Sequence, residues 1–138
     1  MPNVKGVHLP NSGCGRYNCY ISIDQSKPGQ SRQAALVALA TADGLKNVVV
    51  VDEDIDPFNE QEVSWAVTTR VQADEDIDIL RNISYTALDP SVKVEGMSAK
   101  MIIDATKPVG EPFDKRLEIP LEAMSRVVAL LNKGETTL

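Results

Sequence analysis

The stretch VVVVDEDIDPFNEQEVSWAVTTR, residues 48–70, limits the fold more than any other part of the chain. Four consecutive β-branched residues, Val48–Val51, make a strand apolar on both faces, and such a strand belongs at the centre of a sheet covered on both sides. Four carboxylates follow within the five residues DEDID. A helix start comes next. Asn59 is placed to cap it, Glu62 to complete a capping box, and Phe58 and Val63 to form a hydrophobic staple. Steps of 100° put Val63, Ala66, Val67, Arg70 and Val71 on one face. Arg70 therefore lies in a buried stripe, where a guanidinium needs acceptors or an escape to the edge. Trp65 falls on the opposite, wet face, as simple partial exposure or as a contact with another domain or subunit.

The remaining segments alternate in the same way. VKGVHL and CYISI read as two strands joined by the Gly-rich turn PNSGCG. SRQAALVALATADGL reads as a helix capped by Ser31 and ending near Gly44. DIDIL and KMIIDAT read as further strands, the second of them central. Pro120 opens a last helix over 120–133, with Leu121, Met124, Val128 and Leu131 on one stripe and Gly134 at its end. The alternation predicts an α/β fold: a single three-layer-like domain with a mixed, mostly parallel sheet flanked by helices. The stretches 87–100 and 107–114 are expected to be long loops, where function tends to sit.

With 138 residues, 43% of them hydrophobic and 25% charged, the chain has the composition of one soluble domain over 1–138. Its net charge of −6 argues against nucleic acid and anionic membrane as general partners. The longest apolar block, Ala34–Ala40, is far below the ~20 residues of a membrane span. MPNVKGVHLP lacks the apolar core of a signal peptide, so a cytoplasmic location is expected. Cys14 and Cys19 with the single His8 do not complete a four-ligand zinc site. A disulfide between them is geometrically possible, but a reducing compartment favours two thiols.

DEDID invites a calcium reading, which fails because positions 6 and 12 of the loop, counted from Asp52, hold Pro57 and Val63 in place of Gly and Glu. Two readings stay open. In one, Asp52, Asp54 and Asp56 bind Mg²⁺ in a phosphoryl-binding regulatory domain. In the other, which the residues favour, the acids cap backbone donors and pair with Arg or Lys. SKPGQSRQ, residues 26–33, is either a solvated turn or an anion site, where Gly29 and Ser31 precede a helix N-terminus and Lys27 adds a positive charge. One His and no nucleophile elbow leave nothing from which to build a catalytic triad. The residues describe a binding or capping domain.

VVVVDEDIDPFNEQEVSWAVTTR followed in order by DIDIL, LDPS and AKMIIDAT resembles the C-terminal domain of UbiD-like decarboxylases, from about Val4 to Thr106. The family uses prenylated flavin mononucleotide to remove or add a carboxyl group on aromatic or α,β-unsaturated acids. Its members are several times longer, and their central domain carries a catalytic Glu–Arg–Glu network and the ligands of a divalent metal that anchors the cofactor phosphate. The resemblance implies a substrate-capping and oligomerising domain or subunit. Such a chain has no catalytic residue of its own, is inactive alone and holds no cofactor tightly by itself. It depends on a catalytic UbiD-like domain or subunit, within a homo- or hetero-oligomer.

Three residue roles are implied by the resemblance. Lys27 matches a lysine that approaches the cofactor phosphate. Arg70 matches an arginine whose backbone carbonyl lies near a potassium ion beside the cofactor. Leu88 matches an apolar residue bordering the substrate. In the same reading DEDID is an architectural corner and not a ligand set.

Overall fold

The computed structural model describes residues 3–84, 87–93 and 96–134. Five strands, β1 (Val4–His8), β2 (Asn18–Ile23), β3 (Asn47–Asp52), β4 (Ile77–Ile83) and β5 (Ser98–Ala105), form one sheet in the order β1-β2-β3-β5-β4. The three central strands are mutually parallel, and the edge strands β1 and β4 run antiparallel to them. The sheet is therefore mixed with a parallel centre, as the sequence predicts.

The four-valine run explains the layering. Val48 and Val50 point to one face, where they pack with Ile21, Ile23 and Ile102 beneath Ala34, Ala35 and Leu39 of α1 (Gln30–Thr41). Val49 and Val51 point to the other face, where they meet Ala105 together with Val63 and Ala66 of α2 (Glu60–Arg70). Period-two alternation thus feeds both cores from one strand. Val48, Val50 and Val51 are completely buried.

The chain enters α2 by running back over β1. A Cβ on Gly6 would stand 3.0 Å from Pro57 Cγ, so the absence of a side chain allows this close crossing. Asn59 caps α2 as expected, accepting from the Gln61 and Glu62 amides. The reciprocal half of the capping box does not form: the Asn59 amide donates to the Asp56 carbonyl, and Glu62 accepts from Arg116. The staple is also different, because Phe58 is 63% exposed and stands 4.8 Å from the His8 ring.

At α1 the cap is Gly29, in the left-handed region at φ 83°, and the helix stops at Thr41. Ser31, expected as the cap, lies inside the first turn, where its hydroxyl is directed at Asp104. The C-terminal end of α1 is met by Lys100, whose buried ammonium group donates to the Leu39 and Asp43 carbonyls. Burial pushes its pKa down. The final helix, α3, spans Leu121–Gly134, and its apolar residues stand exposed. Among the described residues no helix is long and apolar enough to cross a membrane.

Candidate functional site

The C-terminal ends of the parallel strands lie level, with Ile23 paired to Asp52 and Val51 to Ala105. This is the edge where open α/β sheets present ligand-binding loops. Gln25 just after β2, the end of β5 with the segment that follows it, the start of α1 and the end of α2 surround a cleft of roughly 540 Å³.

DEDID closes on Arg70, which lines this cleft. The Arg70 side chain is only 3% exposed and donates to Asp52 Oδ2 at 2.7 Å and to Asp54 Oδ1 and Oδ2 at 3.1 and 2.9 Å. Lys107 completes the knot, with its amide on Asp52 Oδ2 at 2.8 Å and its ammonium on Asp54 Oδ2 at 3.0 Å. The buried arginine thus finds its acceptors in the acidic turn. Asp56 accepts from the Phe58 amide. These engagements are the pairing and capping roles of the structural reading, and no observation supports a magnesium site on these acids. Burial pushes the Asp52 carboxyl up, against the pull of the Lys107 amide and the Arg70 charge. At Asp54 burial acts upward too, but hydrogen bonds from Arg70 and Lys107 outweigh it and hold the carboxyl below its ordinary value.

A second knot ties β5 to α1. Asp104 accepts from the Ser31 hydroxyl through Oδ2 at 2.5 Å, and from the Thr106 amide and hydroxyl through Oδ1 at 3.2 and 2.6 Å. Gln25 donates to Thr106 Oγ1 at 2.7 Å and to the Lys107 carbonyl at 3.1 Å. Beside it, the Gln30 side chain accepts from the Ser26 and Lys27 amides at 2.8 and 3.1 Å, which folds SKPG into a defined turn. Lys27 is exposed on that turn.

The structure brings Lys27 and Arg70 to one edge of the sheet but places Leu88 at the other. The Leu88 carbonyl accepts from Tyr17, which precedes β2, and the neighbouring Asp89 pairs with Lys46, which precedes β3. The Leu88 side chain is exposed. Trp65 is half-buried, with the Arg116 guanidinium 4.4 Å from its ring centroid and that of Arg70 at 5.3 Å. Its partner arrives from the same chain. Sequence reasoning missed Asp104, Thr106, Gln25, Lys107 and Arg116. The Asp-x-Thr spacing of IDAT was a visible signal for a self-bonded turn; the partners Ser31 and Gln25 lie more than seventy residues away.

This geometry defines a small mixed α/β domain whose polar strand-end face is braced by internal pairs. Residues 1–105 match the family model described as 3-octaprenyl-4-hydroxybenzoate carboxy-lyase C-terminal domain. The chain is 48% identical over 113 residues to the phenolic acid decarboxylase of Sedimentibacter hydroxybenzoicus, covering 79% of this chain and 23% of that protein. It superposes on the UbiD-class enzyme HmfF from Pelotomaculum thermopropionicum, solved with FMN, with a TM-score of 0.82 at 42% identity, over 87% of this chain and 27% of the other. The vanillic acid decarboxylase of Sedimentibacter hydroxybenzoicus in its closed form gives 0.76 at 35% identity, over 95% and 29%. The chain belongs to the UbiD carboxy-lyase C-terminal domain family. It spans about a quarter of the length of the curated relatives it matches.

Proposed function

We propose that this chain is the substrate-capping and oligomerising C-terminal domain or subunit of a prenylated-FMN-dependent UbiD-like (de)carboxylase acting on an aromatic or α,β-unsaturated acid. The observation that carries the reading is the match of residues 1–105 to the C-terminal domain of that family. Several of the relatives are named for a decarboxylation.

The chain's own residues take auxiliary roles in this scheme. Lys27 presents a cation on a turn anchored by Gln30, and it stands next to an α1 N-terminus with no side-chain cap. Both features suit the phosphate of a flavin nucleotide. Arg70 is the last residue of α2, where backbone carbonyls lack intrahelical donors, the chemistry a potassium ion requires. Leu88 offers an exposed apolar side chain to the substrate. Tyr17 and Lys27 flank the two ends of the six-residue β2, which is about 20 Å long at 3.3 Å per residue. That separation suits a division in which Lys27 addresses the phosphate end of the cofactor and Leu88 the reacting end. The divalent metal belongs to the catalytic partner in this reading. The bound flavin supplies the decarboxylation chemistry; this domain orients, covers and excludes water.

Reconstitution tests the proposal. A catalytic partner lacking this region is assayed for CO₂ release with and without the 138-residue chain. The expected result is association and a gain in turnover. Neither association nor gain would refute it.

A further inference from the structure

The connection between β4 and β5 carries Leu88 on a turn that is tied down more firmly than its exposure requires. The Leu88 side chain is 64% exposed, yet the backbone beneath it is held at two points. Tyr17 Oη donates to the Leu88 carbonyl at 2.6 Å. Lys46 Nζ reaches the Asp89 carboxylate at 3.1 Å and the Ser91 hydroxyl at 2.5 Å. Asp89 in turn accepts from the Ser91 amide at 3.0 Å, which closes the Asp-Pro-Ser turn on itself. The Asp89 side chain is only 7% exposed, so its pair with Lys46 sits against the protein and not in open solvent.

The two anchors are built into the centre of the sheet. The Lys46 and Asn47 amides both donate to the Tyr17 carbonyl, at 2.8 and 2.9 Å, and the Met101 amide donates to the Lys46 carbonyl at 2.8 Å. Tyr17 and Lys46 are thereby locked to β2, β3 and β5, the three central strands. Neither side chain needs the loop for its own solvation. Both residues are half-buried, and water can serve a phenol or an ammonium group there. Their bonds instead remove freedom from a long connection. An exposed leucine held still suits a contact that must be in place before its ligand arrives, because a wall ordered only on binding lowers affinity by the entropy it loses.

We propose that Tyr17 and Lys46 are positioning residues of the (de)carboxylase: Tyr17 through the Leu88 carbonyl and Lys46 through Asp89 fix the turn, so that Leu88 forms a preset wall against the acid substrate. This rests on the capping role proposed above for Leu88 and adds the two residues that make the wall stiff. Neither of them touches the substrate. Removing an anchor keeps the leucine but frees its turn, which the substrate must then order on every binding event. The loss falls on the Michaelis constant and leaves turnover at saturation unchanged, because substrate and transition state share the contact. One net hydrogen bond corresponds to about a fivefold change.

Loop order is read in the 138-residue chain by NMR relaxation. Backbone order parameters at Leu88 and Asp89 should be about 0.8, and should fall below about 0.6 when Tyr17→Phe is combined with Lys46→Met. Disorder already present in the unmodified chain, or order unchanged in the double variant, would overturn the clamp. Its effect on the reaction is read in the enzyme reconstituted with its catalytic partner. Benzoate, 4-hydroxybenzoate and cinnamate are assayed for CO₂ release, and the acid turned over fastest serves as the probe. Tyr17→Phe, which keeps the ring beside Arg16, and Lys46→Met should each raise its Michaelis constant about fivefold with kcat unchanged. Lys46→Arg should behave as the unmodified chain. Asn59→Ala, which destabilises the domain through the α2 cap, should leave the constant unchanged. Leu88→Ala separates the clamp from the reading it rests on. If Leu88→Ala raises the Michaelis constant and the anchor variants do not, the clamp is overturned and the capping role stands. If Leu88→Ala leaves it unchanged, or none of the acids is turned over, the capping reading fails and the inference falls with it.

Discussion

Removing the Arg70 guanidinium is the sharpest test of how the strand-end face is held together. Arg70→Ala leaves Asp52, whose side chain is 14% exposed, with the Lys107 amide as its remaining donor. Breaking a buried pair by deleting one partner costs about 3–5 kcal/mol. The low end applies here, because Asp54 is half exposed and rehydrates, and because Lys107 still pairs with it. The expected loss is therefore about 3 kcal/mol, equivalent to roughly 10 °C in melting temperature for a domain of this size. Urea unfolding followed by far-UV circular dichroism measures it as a shift in midpoint at constant slope. Arg70→Lys should recover only part, since an ammonium cannot hold two carboxylates in the fork geometry seen here. Arg70→Met combined with Asp52→Asn should be more stable than Arg70→Met alone, because the second change removes the stranded charge. A loss below about 1 kcal/mol for Arg70→Ala would refute the reasoning, since it would place the pair in the range of solvated surface bridges.

Four further outcomes are expected. The two acids should give opposite pH responses. Asp54, held below 3.8 in the folded state, contributes stability that is present above its unfolded value and lost as pH falls through its folded value; Asp54→Asn should flatten that loss in urea midpoints below about pH 4. Asp52, raised above 3.8 mainly by burial, costs stability at neutral pH, a cost relieved on acidification, and Asp52→Asn should abolish that relief. Asn59→Ala should cost about 1 kcal/mol in unfolding free energy, because two first-turn amides of α2 lose their acceptor. Arg116→Ala should shift the emission of Trp65, the only tryptophan, to longer wavelength as its ring hydrates, with a stability change of no more than about 1 kcal/mol. Lys27→Ala should lower the flavin content of the assembled enzyme after gel filtration; unchanged content would remove Lys27 from the phosphate site.

The parts of this molecule legible in sequence are those written at short range. Val48–Val51 announced a strand covered on both faces, and the helical phase of Val63, Ala66 and Arg70 announced a buried guanidinium that must find acceptors. The acceptors themselves, Asp52 and Asp54, stand out in the sequence as a cluster whose residue types suit capping or pairing. Their assignment to Arg70 followed only from the fold, because α2 ends beside the β3 terminus from which the acids project. Ser31 shows the opposite case. Its place before an apolar run is an ordinary cap signal, yet the tertiary pairing with Asp104 competes for the hydroxyl and Gly29 takes the cap at no steric cost. Glu62 lost its capping-box role in the same manner to Arg116.

These displacements share a physical direction. In each, a side chain that local rules assign to its own helix end is recruited by a residue more than fifty positions away. The recruiting residues, Asp104 and Arg116, with Lys107 between them, lie along the chain from the end of β5 toward α3. Local capping contributes about 1 kcal/mol per site, and the part-buried, charge-assisted bond from Ser31 to Asp104 contributes more. The exposed Glu62–Arg116 bond is of the same order as the cap contact it replaces. The consequence is mechanical: the 107–119 segment is attached at Lys107 to the acidic turn and at Arg116 to Glu62 of α2 before it reaches α3. Cutting either attachment should loosen α3 without unfolding the sheet. That outcome would separate the arm from the core as a distinct cooperative unit in hydrogen exchange, and a single unit exchanging together after Arg116→Ala would contradict it.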